Sequence, residues 1–264
     1  MRFRALLVVM LAFTTPVAAE TLRAGGVGAA TKLLPILFEK FDDARTEVIP
    51  SLGSSGGLRA LSEGALDLAV TGRPLTSDEI KQGLTIAAAF RTPFVLATSH
   101  PRPNGLKTAD VAPIFSAPKA LWADGSQIRI ILRPKSDSDT MVLIALFPGM
   151  ASALDAARAR HDVPTAATDQ DCLDAAENLQ DSLAGSTLTQ IKTEHRNLRL
   201  ASIDGIAPSI EALENGSYPF SKTLYFVLPA QKKPDAERFI AFLRSPAGHA
   251  ALRETGIIAT PGGS

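Results

Sequence analysis

Apolar and polar positions along the chain alternate with two periods, and residues 48–75 hold the clearest exchange between them. There Val48-Ile49 reads as a buried strand, Gly53-Ser-Ser-Gly-Gly57 as a loop of small residues, the positions from about Gly57 as a short helix, and 66–70 as a second buried strand. Upstream, 21–25 is a short strand. The glycine loop Gly26-Val-Gly-Ala-Ala-Thr31 then leads into a helix with Leu33, Leu34, Leu37, Phe38 and Phe41 on one side, and Pro35 falls in its first turn or just after. Strand, glycine loop, helix and strand repeat, which is the βαβ pattern of a mainly parallel α/β sheet.

Downstream, Thr76 and Glu79 have capping-box spacing. Residues 90–98 are strand-like and 101–105 form a turn-rich junction. Thr108 caps a helix reaching 115, 127–132 is a strand, and Asp137-Ser-Asp-Thr140 starts the apolar helix 141–147. Residues 151–160 and 169–181 are helical, with strands near 183–190 and 198–203 and a further strand-like segment at 218–228. The end is helical: Pro234 opens one helix, Ser245-Pro246 opens a second, and Gly256 stops it.

The extreme N-terminus changes the expected address. Arg2 and Arg4 precede an apolar run at 5–13, and Pro16-Val-Ala-Ala19 has the small-residue pattern of a signal-peptidase site, so cleavage after Ala19 is expected. The run is shorter than the roughly 20 apolar residues that span a bilayer. With 1–19 removed the chain keeps 25 basic and 27 acidic groups, because that segment contributes two arginines and no acid. A near-neutral chain carries no electrostatic footprint for nucleic acid or an anionic membrane. Cys172, the only cysteine, has no internal disulfide partner and reads as a buried small apolar residue.

The candidate chemistry centres on the glycine-rich loops. Unpaired N–H groups at a helix start beside Ser54 and Ser55 suit an anion, since donors and the positive end of the dipole converge there. Gly53-Ser-Ser-Gly-Gly57 also satisfies Gly-x-Ser-x-Gly, the nucleophile elbow of a serine hydrolase with Ser55 as nucleophile. That elbow normally follows several strands, whereas about one precedes this one. Gly26 to Thr31 is an incomplete dinucleotide fingerprint, with Thr31 at the third glycine. His100, His161, His195 and His249 are scattered, without ligand spacing for zinc, and no cofactor or metal is expected.

Four motifs in order carry a resemblance: Gly28-Ala-Ala-Thr31, the Gly-Ser-Ser-Gly loop with the strand after it, Arg133 with Ser138-Asp-Thr140, and Gly216-Ser-Tyr-Pro-Phe-Ser-Lys-Thr-Leu-Tyr225. Together they resemble the periplasmic phosphate-binding proteins of ABC importers, over most of the chain. The resemblance implies a type II two-lobe α/β fold with two crossing strands. Lobe I would hold residues 20–94 and 225–264, and lobe II residues 95–224. It implies a monomeric periplasmic protein that takes inorganic phosphate or a similar oxyanion to the importer's membrane subunits, with no enzymatic activity. The same scaffold serving another solute or a membrane sensor is the alternative.

Carried over by resemblance, the ligand set is Ala30 and Thr31 from the first loop, Ser54, Ser55 and Gly56 from the second, Thr71 and Arg73 from the third, and Arg133, Ser138, Asp139 and Thr140 from the fourth. Two positions depart from the family. Thr71-Gly72 replaces its serine-aspartate pair, and Asp139 stands where a glycine is usual. Loss of a carboxylate acceptor at 72 implies weaker discrimination of phosphate from sulfate, unless Asp137 or Asp139 restores it. Arg73 would then contact the anion, or else pair with Asp137 or Asp139.

Overall fold

The computed structural model describes residues 21–42 and 45–260, so the expected signal peptide lies outside the described residues. The first lobe opens with β1 (Leu22–Gly26), α1 (Ala30–Phe41), β2 (Thr46–Ile49), α2 (Gly53–Ser62), β3 (Leu68–Thr71) and α3 (Ser77–Lys81). A long strand, β4 (Thr85–Thr98), leads into the second lobe: α4 (Thr108–Ser116), β5 (Arg129–Ile131), α5 (Ser138–Leu146), α6 (Met150–Arg158), α7 (Asp169–Asn178), β6 (Ser182–Thr187), α8 (Leu188–Thr193), β7 (Arg199–Leu200) and α9 (Ile210–Glu214). The chain returns through β8 (Ser221–Leu228) and closes with α10 (Pro234–Arg244), α11 (Pro246–Glu254) and β9 (Ile258–Ala259).

The strand order is β2-β1-β3-β8-β4-β6-β5, with β7 and β9 also on β4. The ladders β1-β2, β1-β3 and β5-β6 are parallel, as βαβ connections require, and antiparallel pairing enters with the crossing strands β4 and β8. β4 serves both lobes. Its residues from Thr85 to Pro93 pair with β8, and from Phe94 to Ala97 with β6. Pro93, which has no N–H to give a ladder, stands where the partner changes.

Each lobe has its own core. In the first, Leu33, Leu34, Leu37 and Phe38 of α1 meet Phe239 of α10 and the strand residues Leu68, Leu224 and Phe226, with the Phe38 and Phe239 rings 4.6 Å apart. In the second, Phe94, Phe115, Phe147 and Met150 surround Tyr218, whose hydroxyl donates to the Phe94 carbonyl at 2.8 Å. Burying that ring with its O–H satisfied keeps the apolar gain without an orphaned donor.

Two local expectations are corrected, those for Gly53–Gly57 and for 183–190. The Gly53–Gly57 loop is not a loop before a helix: α2 already begins at Gly53. That helix lies so close to β1 that a Cβ on Gly57 would stand 2.6 Å from Gly26 Cα. Pro35 falls just after the first turn of α1, within the expected range, and the Thr31 carbonyl loses an intrahelical donor there. The strand expected near 183–190 ends at Thr187, whose hydroxyl accepts from Gln190 N at 3.3 Å and starts α8 instead.

Candidate functional site: a charged cleft between the lobes

The first lobe faces the cleft with two helix starts. α1 follows β1 and α2 follows β2, and neither Ala29 nor Leu52 at the N-cap makes a side-chain capping bond, though Ala30 N and Thr31 N of α1 donate to the Val27 and Gly28 carbonyls. Ser51 and Gly53, both at positive φ (55° and 69°), turn the chain so that α2 opens toward the cleft. Hydroxyls knit these loops together. Thr31 Oγ1 accepts from Ser51 N at 3.3 Å, and Ser54 Oγ accepts from Gly72 N at 3.0 Å.

The second lobe brings capped helices and charge. Asp137 caps α5, accepting from Asp139 N at 2.8 Å, and Thr168 with Asp171 forms a capping box on α7. Arg133, just after β5, is 7% exposed. Its Nη1 donates to the Ala166 carbonyl at 2.7 Å, and its Nη2 donates to Asp137 Oδ2 and Asp169 Oδ1, both at 2.8 Å. Its Nε is buried without a partner. Burial alone would lower the Arg133 pKa, but Asp169, Asp137 and Asp139 together raise it, so the guanidinium stays charged.

A second cation enters from the crossing strand. Lys222 on β8 is 1% exposed, and its ammonium donates to Ser138 Oγ at 3.0 Å and to Asp139 Oδ1. Gly72 makes room for it, since a Cβ there would lie 2.4 Å from Lys222 Cε and 2.7 Å from Ser138 Oγ. The place of the missing acidic side chain is thus taken by a lysine and its carboxylate partner from the other lobe. Burial pushes the Asp139 carboxyl up to about 6; Lys222 opposes this, and Asp169 and Asp137 add to it. Burial disfavours the Lys222 charge, yet Asp139, Asp169 and Asp137 hold its pKa above the usual value. The two shifts share a direction for different reasons: burial chiefly raises Asp139, whereas the three facing carboxylates raise Lys222.

The lobes touch across this cluster. Asp169 lies against Gly28, where a Cβ would stand 2.2 Å from its Oδ2. Gln170 Nε2 donates to the Gly28 carbonyl at 3.0 Å, and Gln170 Oε1 accepts from Ser51 Oγ at 3.1 Å. Between them lies a cavity of about 110 Å³ whose walls include Gly28, Ser51, Gly53, Arg133, Asp137 and Asp169. A larger groove of about 540 Å³ on the second lobe, lined by residues such as Ile128, Arg160 and Val163, lies apart from the buried charges. The smaller cavity is the better site, because there both lobes and the buried charges converge. Asp137, Asp139 and Asp169 offer oxygens within 4.8 Å of one another, a spacing that suits a divalent cation, but Arg133 and Lys222 already supply the positive charge.

The residues expected from sequence divide into three groups. Arg133 lines the cavity, and Ser138 and Asp139 are buried beside it on Lys222. Thr31, Ser54 and Gly56 sit at the helix starts opposite, with the Thr31 and Ser54 hydroxyls bonded as described. The rest are engaged elsewhere. Ala30 N donates to the Val27 carbonyl at 2.8 Å, Thr140 Oγ1 to the Pro134 carbonyl at 2.9 Å, and Thr71 Oγ1 to the Arg73 carbonyl at 3.2 Å. Arg73 pairs with neither Asp137 nor Asp139. Its Nη2 lies 2.7 Å from Glu79 Oε1 and donates to Ser55 Oγ at 3.3 Å. A guanidinium on Ser55 Oγ is no general base, which leaves the hydrolase reading without a proton acceptor there.

Lys222, Asp169 and Gln170 were not expected. Lys222 had a legible signal: it stands in phase with Phe220, Leu224 and Phe226 on the inward side of a period-2 strand, where a lysine is costly unless paired. Asp169 and Gln170 follow the capping residue Thr168, which locates a helix start but not what it faces.

The PBP superfamily domain model matches residues 14–247. No curated protein matches the chain in sequence. Among solved structures, the chain is similar to a putative phosphate ABC transporter substrate-binding protein with bound phosphate from Clostridium perfringens, at 16% identity and TM-score 0.75, covering 92% of this chain and 100% of that one. It is also similar to a phosphate-binding protein from Stenotrophomonas maltophilia (14% identity, TM-score 0.67, 92% and 91% covered) and an ABC-type phosphate transport receptor from Vibrio cholerae (15%, 0.60, 91% and 100%). At these identities the likeness is one of fold, two lobes joined by crossing strands. The model match over most of its length places this chain in the PBP superfamily.

Proposed function

We propose that this protein is an exported solute-binding protein that captures a small oxyanion, phosphate, between its lobes and passes it to the membrane subunits of an ABC importer. One observation carries the reading. Two helix starts without side-chain caps, at α1 and α2, and a buried arginine with an unpartnered Nε face one small inter-lobe cavity. The positive ends of two helix dipoles and a guanidinium edge attract negative charge, and they suit an acceptor-rich anion. The fold neighbours from Clostridium perfringens, Stenotrophomonas maltophilia and Vibrio cholerae, described as phosphate-binding or phosphate-transport proteins, support phosphate as the anion.

Binding would act through the hinge. Asp169 and Gln170 reach across from the second lobe to Gly28 and Ser51 of the first, so the described conformation is closed, and a ligand seated between these groups favours it over an open one. The sequence signal at 1–19 supports export to the periplasm, and no helix among the described residues is long and apolar enough to cross a membrane. A thermal-shift panel on the chain from Glu20 tests the reading. Stabilisation by millimolar phosphate and not by chloride or neutral sugars is expected; a flat response to every oxyanion would overturn it.

A further inference from the structure

We propose that Asp169 is a tethered anion: its carboxylate occupies the oxyanion's place between Arg133 and the start of α1, and ligand binds by exchanging with it. Asp169 thereby sets the affinity of the cleft and restricts it to solutes that bring a negative charge of their own. This inference rests on the oxyanion reading above and deepens it.

Asp169 is the first residue of α7, and its side chain is 4% exposed. Oδ1 accepts from Arg133 Nη2 at 2.8 Å, while Oδ2 is pressed against Gly28, where a Cβ would stand 2.2 Å from it. Gly28 lies just ahead of α1, whose N-cap residue Ala29 makes no side-chain capping bond. One carboxylate of the second lobe thus stands between the guanidinium and the positive end of a helix dipole in the first, and it walls the cavity of about 110 Å³. Helix α7 does not depend on it for a cap, because Thr168 and Asp171 already form the capping box.

Charge gives the exchange its reason. Arg133 and Lys222 face Asp137, Asp139 and Asp169, which leaves one negative charge in excess before any ligand arrives. An added anion would deepen that excess in a nearly dry site. A singly charged anion that takes the place of Asp169 leaves it unchanged, whereas a neutral solute there would leave Arg133 with less opposing charge. The other two carboxylates are tied more firmly. Asp137 caps α5 besides bonding Arg133, and Asp139 is held on the buried ammonium of Lys222. Among the described residues Asp169 accepts one hydrogen bond, from Arg133, and that is the bond a ligand oxygen replaces. The step is non-covalent: a side-chain rotation carries the carboxylate off Arg133, and no proton moves.

Two variants test the exchange. Asp169→Ala empties the place, and Asp169→Asn keeps the bulk against Gly28 while removing the charge; Asp137 stays on Arg133 in both. Calorimetry should show both variants binding phosphate about ten- to a hundredfold tighter than wild type, the range of one hydrogen bond to a charged group. Loss of a carboxylate also lessens plain repulsion, so formate, a free carboxylate, supplies a second readout. Excess formate should compete with phosphate in Asp169→Ala, where it can take the vacated place, and not in wild type. Phosphate affinity equal to or weaker than wild type in the folded variants, or tighter binding in Asp169→Ala without formate competition, overturns the inference and leaves oxyanion capture intact. Phosphate bound by none of the three proteins removes the reading beneath it and this inference together.

Discussion

Replacing Lys222 with methionine isolates the most unusual group in the cleft. The change keeps most of the stem volume and deletes the ammonium that holds Asp139 and Ser138. Leaving a buried carboxylate unpaired costs about 3–5 kcal/mol. Asp139 has a cheaper escape, because its carboxyl titrates at about 6. Neutralising it at pH 8, two units higher, costs roughly 3 kcal/mol, and at pH 5 almost nothing. Protonation is therefore the route taken, and it caps the loss.

The sign is that of an acid whose folded pKa exceeds its unfolded one. Stability falls as pH rises from the unfolded value through the folded value, and in the variant that decline extends to higher pH. Urea melts should show a loss of about 2–3 kcal/mol at pH 8, or about 4–12 °C in Tm, and less than about 1 kcal/mol at pH 5. An equal loss at both pH values would refute the reasoning, since it would mean that packing and not charge sets the effect.

Other outcomes follow from the same geometry. Arg133→Met should weaken phosphate binding by about 1.5–3 kcal/mol, roughly ten- to a hundredfold, read by calorimetry. Gly72→Asp should weaken oxyanion binding rather than sharpen it, because the new side chain displaces Lys222 and adds a fourth carboxylate; competition of phosphate against sulfate checks this. Gln170→Ala removes the bonds to Gly28 and Ser51, and small-angle scattering of the ligand-free variant should show a larger radius than wild type. Glu79, whose carboxyl the Arg73 hydrogen bond draws down to about 2, contributes stability that is present above its usual pKa and lost as pH falls toward 2. Glu79→Gln should flatten acid denaturation in that window while keeping the N3 cap.

The order of helices and strands was legible because their periods are clean in Leu33 to Phe41 and Phe220 to Phe226, and because capping residues such as Thr76 and Ser245 mark helix starts. Arg133 was legible through its motif. The cleft's charge balance was not, because it depends on which side chains meet across the lobes. Asp139 lies 83 positions from Lys222, and Asp169 lies 36 from Arg133. Nor did local pattern show that Arg73 folds back on Glu79, six positions on, instead of reaching the cleft.

The central claim is that one oxyanion sits between the lobes against Arg133. Calorimetric titration of the chain from Glu20 with phosphate at pH 7, beside the Arg133→Met variant, tests it most directly. One saturable site per wild-type chain, weakened at least tenfold in a folded variant, is the expected result. No binding by wild type, or equal binding by both proteins, would contradict it.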